Sequence, residues 1–230
     1  MSNKSTVFSD DYFSDRKGNN KLRLKQYEID HKFISKYIHN GTICDVGCST
    51  GEFLSHIQWK GDKYGMETNK LARDMASSFI KFDKNIFTEK KFFDLVMFRG
   101  TIQHVDDPFN MIKKSHEALK EGGYISFLST PNSESILYKL KNTLPVFHTY
   151  EDTIFYRPGL TGLINLLNNY DFEIVGVDFP YANTPYRNFI SDHYNFFKNI
   201  LSKNFYPHPF WKSMMNIVAK KIVWKKFVYA

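Results

Sequence analysis

Cysteine is scarce. Cys44 and Cys48 are the only two in the chain, and both sit in one glycine-bearing segment, ICDVGCSTG. They are four residues apart, with a strand end between them, which excludes a disulfide framework. No further thiol exists to complete a thiolate zinc set. Free thiols suit a reducing compartment. The opening segment, MSNKSTVFSDDYFSDRKGNN, is polar and lacks the apolar core of a secretory signal. No run of about 18 apolar residues occurs, so no membrane-spanning helix is expected. The expected location is therefore cytoplasmic. Internal repeats and low-complexity linkers are also missing.

What is present is a chain of 230 residues, enough for one domain with an elaboration. A hydrophobic fraction of 42% and an aromatic fraction of 17% supply a core and argue against disorder. The net charge of +7 is compatible with nucleic acid, an anionic membrane surface or a phosphorylated small substrate, and does not choose among them. The lysines are spread out, and the one dense basic stretch is 220–226.

Hydrophobic patterning predicts a helix over 21–39, stopped by Asn40-Gly41. Strands and helices then alternate. Strands are expected at 42–46, 63–66, 80–82, 93–98 and 124–129, and helices at 52–59, 70–79 and 108–120, the last stopped by Gly122-Gly123. Further on, helices are expected at 133–140 and 158–168, with Pro158 at the first turn of the second. A strand at 172–179 and a last one at 215–220 close the pattern. Alternation of this kind implies a mostly parallel sheet with helices on both faces. Residues 180–211 are aromatic-rich, hold four prolines and read as irregular. That length exceeds an ordinary connection and suggests a functional insertion.

The chemistry concentrates at ICDVGCSTGEFL. A buried strand ends at Val46, Gly47 lets the backbone turn, Gly51 permits close approach, and a helix start then offers unpaired N–H groups. This is a recipe for holding a nucleotide-like ligand at the carboxyl ends of parallel strands. The dinucleotide fingerprint is absent, because Cys48-Ser49 follows Gly47, and so is the Gly-Lys-Ser/Thr of a phosphate-binding loop. What stands there is D-x-G-x-x-x-G. Glu67 closes the next strand, KYGMET, twenty residues after Gly47, where a carboxylate can accept both hydroxyls of a ribose.

The D-x-G-x-x-x-G turn resembles motif I of the class I S-adenosylmethionine (SAM)-dependent methyltransferases. FDLVMFRGTIQHVDDP is similar to that family's fourth strand and following loop, LKEGGYISFLSTPN to its fifth strand, and YDFEIVGVDFPY to its sixth. The resemblance implies an α/β Rossmann-like sheet, mostly parallel with the last strand antiparallel and an insertion between the last two strands. It divides the chain into an N-terminal helical cap, 1–40, and a methyltransferase domain, 41–230, with an acceptor-side insertion at about 180–211. It implies that Asp45, Gly47, Cys48, Ser49 and Gly51 surround the cofactor, that Glu67 with Thr68 beside it holds the ribose, that Asp83 faces the adenine, and that Arg99 touches the methionine moiety. Arg23 is either a surface residue or reaches the methionine carboxylate. The product would be S-adenosylhomocysteine.

Methyl transfer from a sulfonium needs positioning, and an alcohol acceptor gains from a general base. Gln103 and His104 lie in the loop after the fourth strand; His104 either takes the acceptor's proton or braces the loop. Asp106-Asp107-Pro108 fits a helix cap with Pro at the first turn, and no metal is expected. His148, Tyr150 and Arg157, then Tyr181, Tyr186, Arg187 and His193, either bind a polar ring-shaped acceptor or pack the insertion. The sequence style is similar to bacterial methyltransferases of capsule and lipopolysaccharide sugars, which points to a hydroxyl of a sugar, nucleotide-sugar or phospho-sugar. The alternatives are methylation of RNA or protein, favoured only by the charge, and a non-catalytic SAM-binding or membrane-surface protein using the basic C-terminal stretch. No appended RNA-binding module is evident.

Overall fold

The computed structural model describes residues 21–136, 139, 158–180, 184–185, 187–201 and 212–223. Its strands are β1 (Ile43–Val46), β2 (Lys63–Met66), β3 (Ile80–Lys81), β4 (Phe93–Arg99), β5 (Leu119–Pro131), β6 (Phe172–Asp178) and β7 (Met214–Lys221). They form one sheet in the order β3-β2-β1-β4-β5-β7-β6. The first five strands pair in parallel, and β7 runs antiparallel to both β5 and β6. The described α-helices are α1 (Lys21–Ile34), α2 (Glu52–His56), α3 (Lys70–Asp74), α4 (Pro108–Ala118), α5 (Leu160–Asn169) and α6 (Phe189–Leu201).

All four residues of β1 are buried, as a central parallel strand covered on both faces requires. The two-residue pleat divides the core. Cys44, Val46, Val96 and Phe98 face one apolar cluster, which also holds Ile112 of α4 and Leu163 and Leu167 of α5. Ile43, Leu95 and Met97 face the other, with Tyr27 and Phe33 of α1 and Phe53 and Leu54 of α2. The same alternation turns Asp45 and Arg99 toward α1 and α2.

Several boundaries differ from the sequence pattern, some for a tertiary reason. α1 ends at Ile34, before Asn40-Gly41. Gly41 instead ties two loops together: its N–H donates to the Lys60 carbonyl at 2.9 Å, and its own carbonyl accepts from Trp59 Nε1 at 2.7 Å. α2 ends at His56 because Lys63 Nζ reaches back to the carbonyls of Leu54, at 2.6 Å, and Ile57, at 2.9 Å. α3 covers only Lys70–Asp74. α4 ends at Ala118, with Lys221 Nζ on the carbonyls of His116 and Leu119 at 2.8 and 3.1 Å. Gly122-Gly123 is thus no helix stop; it lies inside β5, where the register to β4 shifts. Pro158 precedes the N-cap Gly159 of α5 instead of occupying its first turn. The expected helix at 133–140 lies partly outside the described residues. The segment read as irregular, 180–211, contains α6.

Candidate active site

In this strand order the chain leaves β1 toward β2 on one side, while β4 leads to β5 on the other. A crevice opens at such a reversal, beyond the carboxyl ends of β1 and β4. The turn after β1 fills its floor. Gly47 has φ +76° and a Cβ there would collide with the Thr101 side chain; Gly51 has φ +69° and a Cβ would collide with Ile80. Both positions therefore demand glycine for conformation and for space. The Gly47 N–H donates to the Met66 carbonyl at 2.6 Å and holds the turn against the end of β2. Gly51 is also the N-cap of α2.

A cleft open to solvent lies above this turn, with about 370 Å³ of space between its walls and the surface. Asp45, Gly47, Cys48, Ser49 and Arg99 line it, together with Tyr27, Thr50, Glu52 and Phe53. Tyr27, Glu52 and Phe53 have no local signal of this role; they read as ordinary members of amphipathic helices. Arg99 is held by α1. Its Nε donates to Asp30 Oδ2 at 2.8 Å, and its guanidinium lies 4.5 Å from the Tyr27 ring centroid and 5.3 Å from that of Phe53. Asp30 is fully buried and also accepts from Gln26 Nε2 at 2.8 Å. Burial pushes its carboxyl up, and the Arg99 charge pulls against that rise. Arg23 is not a surface arginine: its Nε lies 3.2 Å from Glu52 Oε2 and its side chain is only 16% exposed.

Asp45 is the most unusual group here. It is 2% exposed, and its Oδ1 accepts no hydrogen bond. Burial pushes its pKa up to about 7; Arg99 lowers it and Glu67 raises it. A buried carboxylate oxygen without a donor is costly, and it marks a place where a ligand can donate. Burial likewise pushes the Cys48 thiol well up, so it is a pocket wall and not a nucleophile.

Glu67 bridges two loops. Its Oε2 accepts from the Ser49 N–H at 2.9 Å, and its Oε1 accepts from the Asn69 N–H at 2.9 Å and the Thr68 hydroxyl at 3.4 Å. Arg73 braces the same loop through the carbonyls of Glu67, at 2.5 Å, and Thr68, at 2.9 Å. Each carboxylate oxygen has about two acceptor sites, so one site on Oε2 remains for a ligand hydroxyl, and a second opens on Oε1 if the long Thr68 contact gives way. Asp83 is exposed just beyond the two-residue β3 and does not line the pocket.

Gln103 and His104 lie in a single 3₁₀ turn after β4. Gln103 is buried, and its Nε2 donates to the Gly100 carbonyl at 3.0 Å and contacts His104 Nε2 at 3.2 Å. An amide N–H can only donate, so this contact sets His104 Nε2 as an acceptor with the ring proton on Nδ1. Asp107 caps α4 by accepting from the Asn110 N–H at 2.9 Å, with Pro108 at the first turn. Among the described residues, no group of three or more His, Cys, Asp or Glu could hold a metal ion.

Of the expected acceptor residues, His148, Tyr150, Arg157, Tyr181 and Tyr186 lie outside the described residues. Arg187 is exposed just before α6. His193 spends one ring nitrogen inside that helix, with Nδ1 2.7 Å from the Phe189 carbonyl.

A family model described as a methyltransferase domain matches residues 20–177. The chain belongs to this family. With its seven-stranded sheet and single antiparallel strand, it is a class I SAM-dependent methyltransferase of Rossmann-like fold, and its cofactor is SAM. Comparison with curated protein sequences gives no match. Solved structures share the fold at low identity. One is a SAM-dependent methyltransferase from Archaeoglobus fulgidus, with a TM-score of 0.61 and 18% identity, covering 93% of this chain and all of that one (100%). A second, from Methanosarcina mazei, has a TM-score of 0.55 and 19% identity over 83% of this chain and 97% of that one. A third, from Mesorhizobium loti, has a TM-score of 0.57 and 13% identity over 86% and 98%.

The residues present fit this cofactor. The turn leaves room that a Cβ would fill, Asp45 has an unpaired carboxylate oxygen that a cationic amino group can donate to, and Glu67 keeps an acceptor site on Oε2 for a ribose hydroxyl.

Proposed function

We propose that the protein methylates a hydroxyl of a small polar acceptor, a sugar, nucleotide-sugar or phospho-sugar, in the cytoplasmic part of bacterial surface-glycan biosynthesis. When bound, SAM supplies an activated methyl group on a sulfonium. Asp45, Ser49 and Glu67 bind and orient, with Arg99 closing the methionine end. Tyr27 and Phe53 exclude water from that side of the pocket.

The observation that favours an oxygen acceptor is the imidazole of His104, one turn beyond Gly100 and fixed by Gln103. Because Gln103 leaves the lone pair on Nε2, His104 receives the acceptor's proton at that atom as the amide contact gives way. The similarity of HVDDPF and STPN to glycan methyltransferases supports the sugar class.

The test is a transfer assay with labelled SAM over nucleotide-sugars, phospho-sugars and, as a contrast, RNA. A labelled sugar product, with turnover cut by about 10²-fold or more in His104→Ala and cofactor affinity kept, supports the reading. Label on RNA alone, or unchanged turnover in His104→Ala, sinks the acceptor class or the role of His104 respectively.

A further inference from the structure

α6 interrupts the connection between β6 and β7, and its buried acid sets its orientation. Asn188 and Asp192 cap its start reciprocally: the Ser191 N–H donates to Asn188 Oδ1 at 3.1 Å, and the Asn188 N–H donates to Asp192 Oδ2 at 2.9 Å. Asp192, the helix's only acid, is thereby turned inward and 5% exposed. The outer face carries Phe189, Ile190, Tyr194 and Phe197, exposed by 57%, 82%, 65% and 59%. At 100° per residue, these four span an arc of about 140° on one side of the helix. Lys198 and Arg187, both exposed, fall at the same border of that arc, near its polar flank. His193 falls inside this arc, its ring 4.2 Å from that of Phe189 and one nitrogen on the Phe189 carbonyl; apart from that imidazole the arc is apolar, and such a face at the surface is unusual for one that meets only water.

We propose that the outer face of α6 docks on an anionic lipid surface. Aromatic and aliphatic side chains enter the interfacial layer, while Arg187 and Lys198 meet the headgroups. Charge decides between this occupant and a second copy of the chain. Antiparallel pairing of two α6 helices about a two-fold axis would set Arg187 of one against Lys198 of the other, with Asp192 buried and unable to compensate. A negative lipid surface removes that conflict, and the net charge of +7 adds a long-range attraction. The attachment is peripheral: among the described residues no helix is long and apolar enough to cross a membrane.

The experiment is co-sedimentation of the full chain with extruded vesicles of phosphatidylcholine alone and of an equal mixture with phosphatidylglycerol. Binding to the mixed vesicles should exceed binding to neutral ones by about tenfold or more and weaken with salt. Ile190→Glu should lower it by about tenfold or more, because it moves a charge into the apolar layer. Lys198→Glu should lower it by about fivefold and flatten its salt dependence. Both side chains are exposed, and thermal melting with and without SAM checks that each variant keeps its fold. Equal binding to the two vesicle types, or binding untouched by Ile190→Glu, overturns the proposal. So does a dimer in sedimentation equilibrium that Ile190→Glu dissolves while no vesicle binding is seen.

Discussion

The Glu67 carboxylate accepts the Ser49 N–H at 2.9 Å and so ties the end of β2 to the turn after β1. Ser49 itself has φ +54°, a conformation the turn must hold in register. The bond orients Glu67 before any ligand arrives, and its other oxygen is fixed by Asn69. Glu67→Ala should therefore lose both the ribose contacts and the brace. Cofactor affinity should fall by at least about thirtyfold, corresponding to ~2 kcal/mol. Glu67→Gln should lie between, since a neutral amide keeps one acceptor oxygen. Calorimetric titration with S-adenosylhomocysteine reads both.

Asp45 should link cofactor binding to pH. Its folded pKa of about 7 lies above the ordinary Asp value of 3.8, because burial disfavours the charge. In the free protein, the stability tied to the bound proton is complete below the unfolded value. It is lost as pH rises through the folded value, because the unfolded chain has already released its proton. A cationic amino group favours the ionised form, so affinity for SAM should rise from pH 6 to about pH 8 and then level. Binding at pH 6.5 should release a proton, seen as heats that depend on the buffer's ionisation enthalpy. Asp45→Asn should remove both effects and stabilise the free protein at pH 8 more than at pH 5. Buffer-independent heats in the unaltered protein would count against this role.

Arg99 and Asp30 join the pocket to α1 through a buried ion pair. Arg99→Ala leaves the fully buried Asp30 without its cation, and removal of one partner costs about 3–5 kcal/mol. Urea unfolding should show a loss of that order. Arg99→Met combined with Asp30→Leu should recover most of the stability, because the desolvation penalty goes with the charges. It should not recover cofactor affinity, since the guanidinium at the pocket wall is still missing.

Gly51 serves the fold and the site together. Gly51→Ala places a Cβ at φ +69° and against Ile80. A left-handed non-glycine residue costs roughly 1–2 kcal/mol, before the collision is counted. The variant should melt lower and bind cofactor more weakly, whereas Gly162→Ala, with nothing near its Cβ and a helical position, should be neutral or stabilising.

The sheet was largely legible in the sequence, because period and turn chemistry are local. β2 lies where alternation placed it, and Asp45, Gly47, Cys48 and Ser49 line one pocket at the glycine turn. The Asp30–Arg99 pair was not legible. Asp30 reads as one polar residue on a helix, and its partner is sixty-nine positions away. Helix ends were missed for a similar reason: Lys63 and Lys221 cap carbonyls from distant segments, and no local stop signal encodes that. α6 was hidden by flanking prolines and dense aromatics. The available clue was Asn188 followed four residues later by Asp192, a reciprocal cap in the structure. Asp83 is hard to align, because the two-residue β3 leaves little pattern.

The central claim is that the turn after β1, Asp45 and Glu67 together hold SAM. Its most direct test is calorimetric titration of the full chain with SAM and S-adenosylhomocysteine, beside the same titrations of Glu67→Ala and Asp45→Asn. The account predicts one site per chain for each ligand, weakened in both variants. No heat and no thermal shift with either ligand, or binding that both variants leave intact, would contradict it.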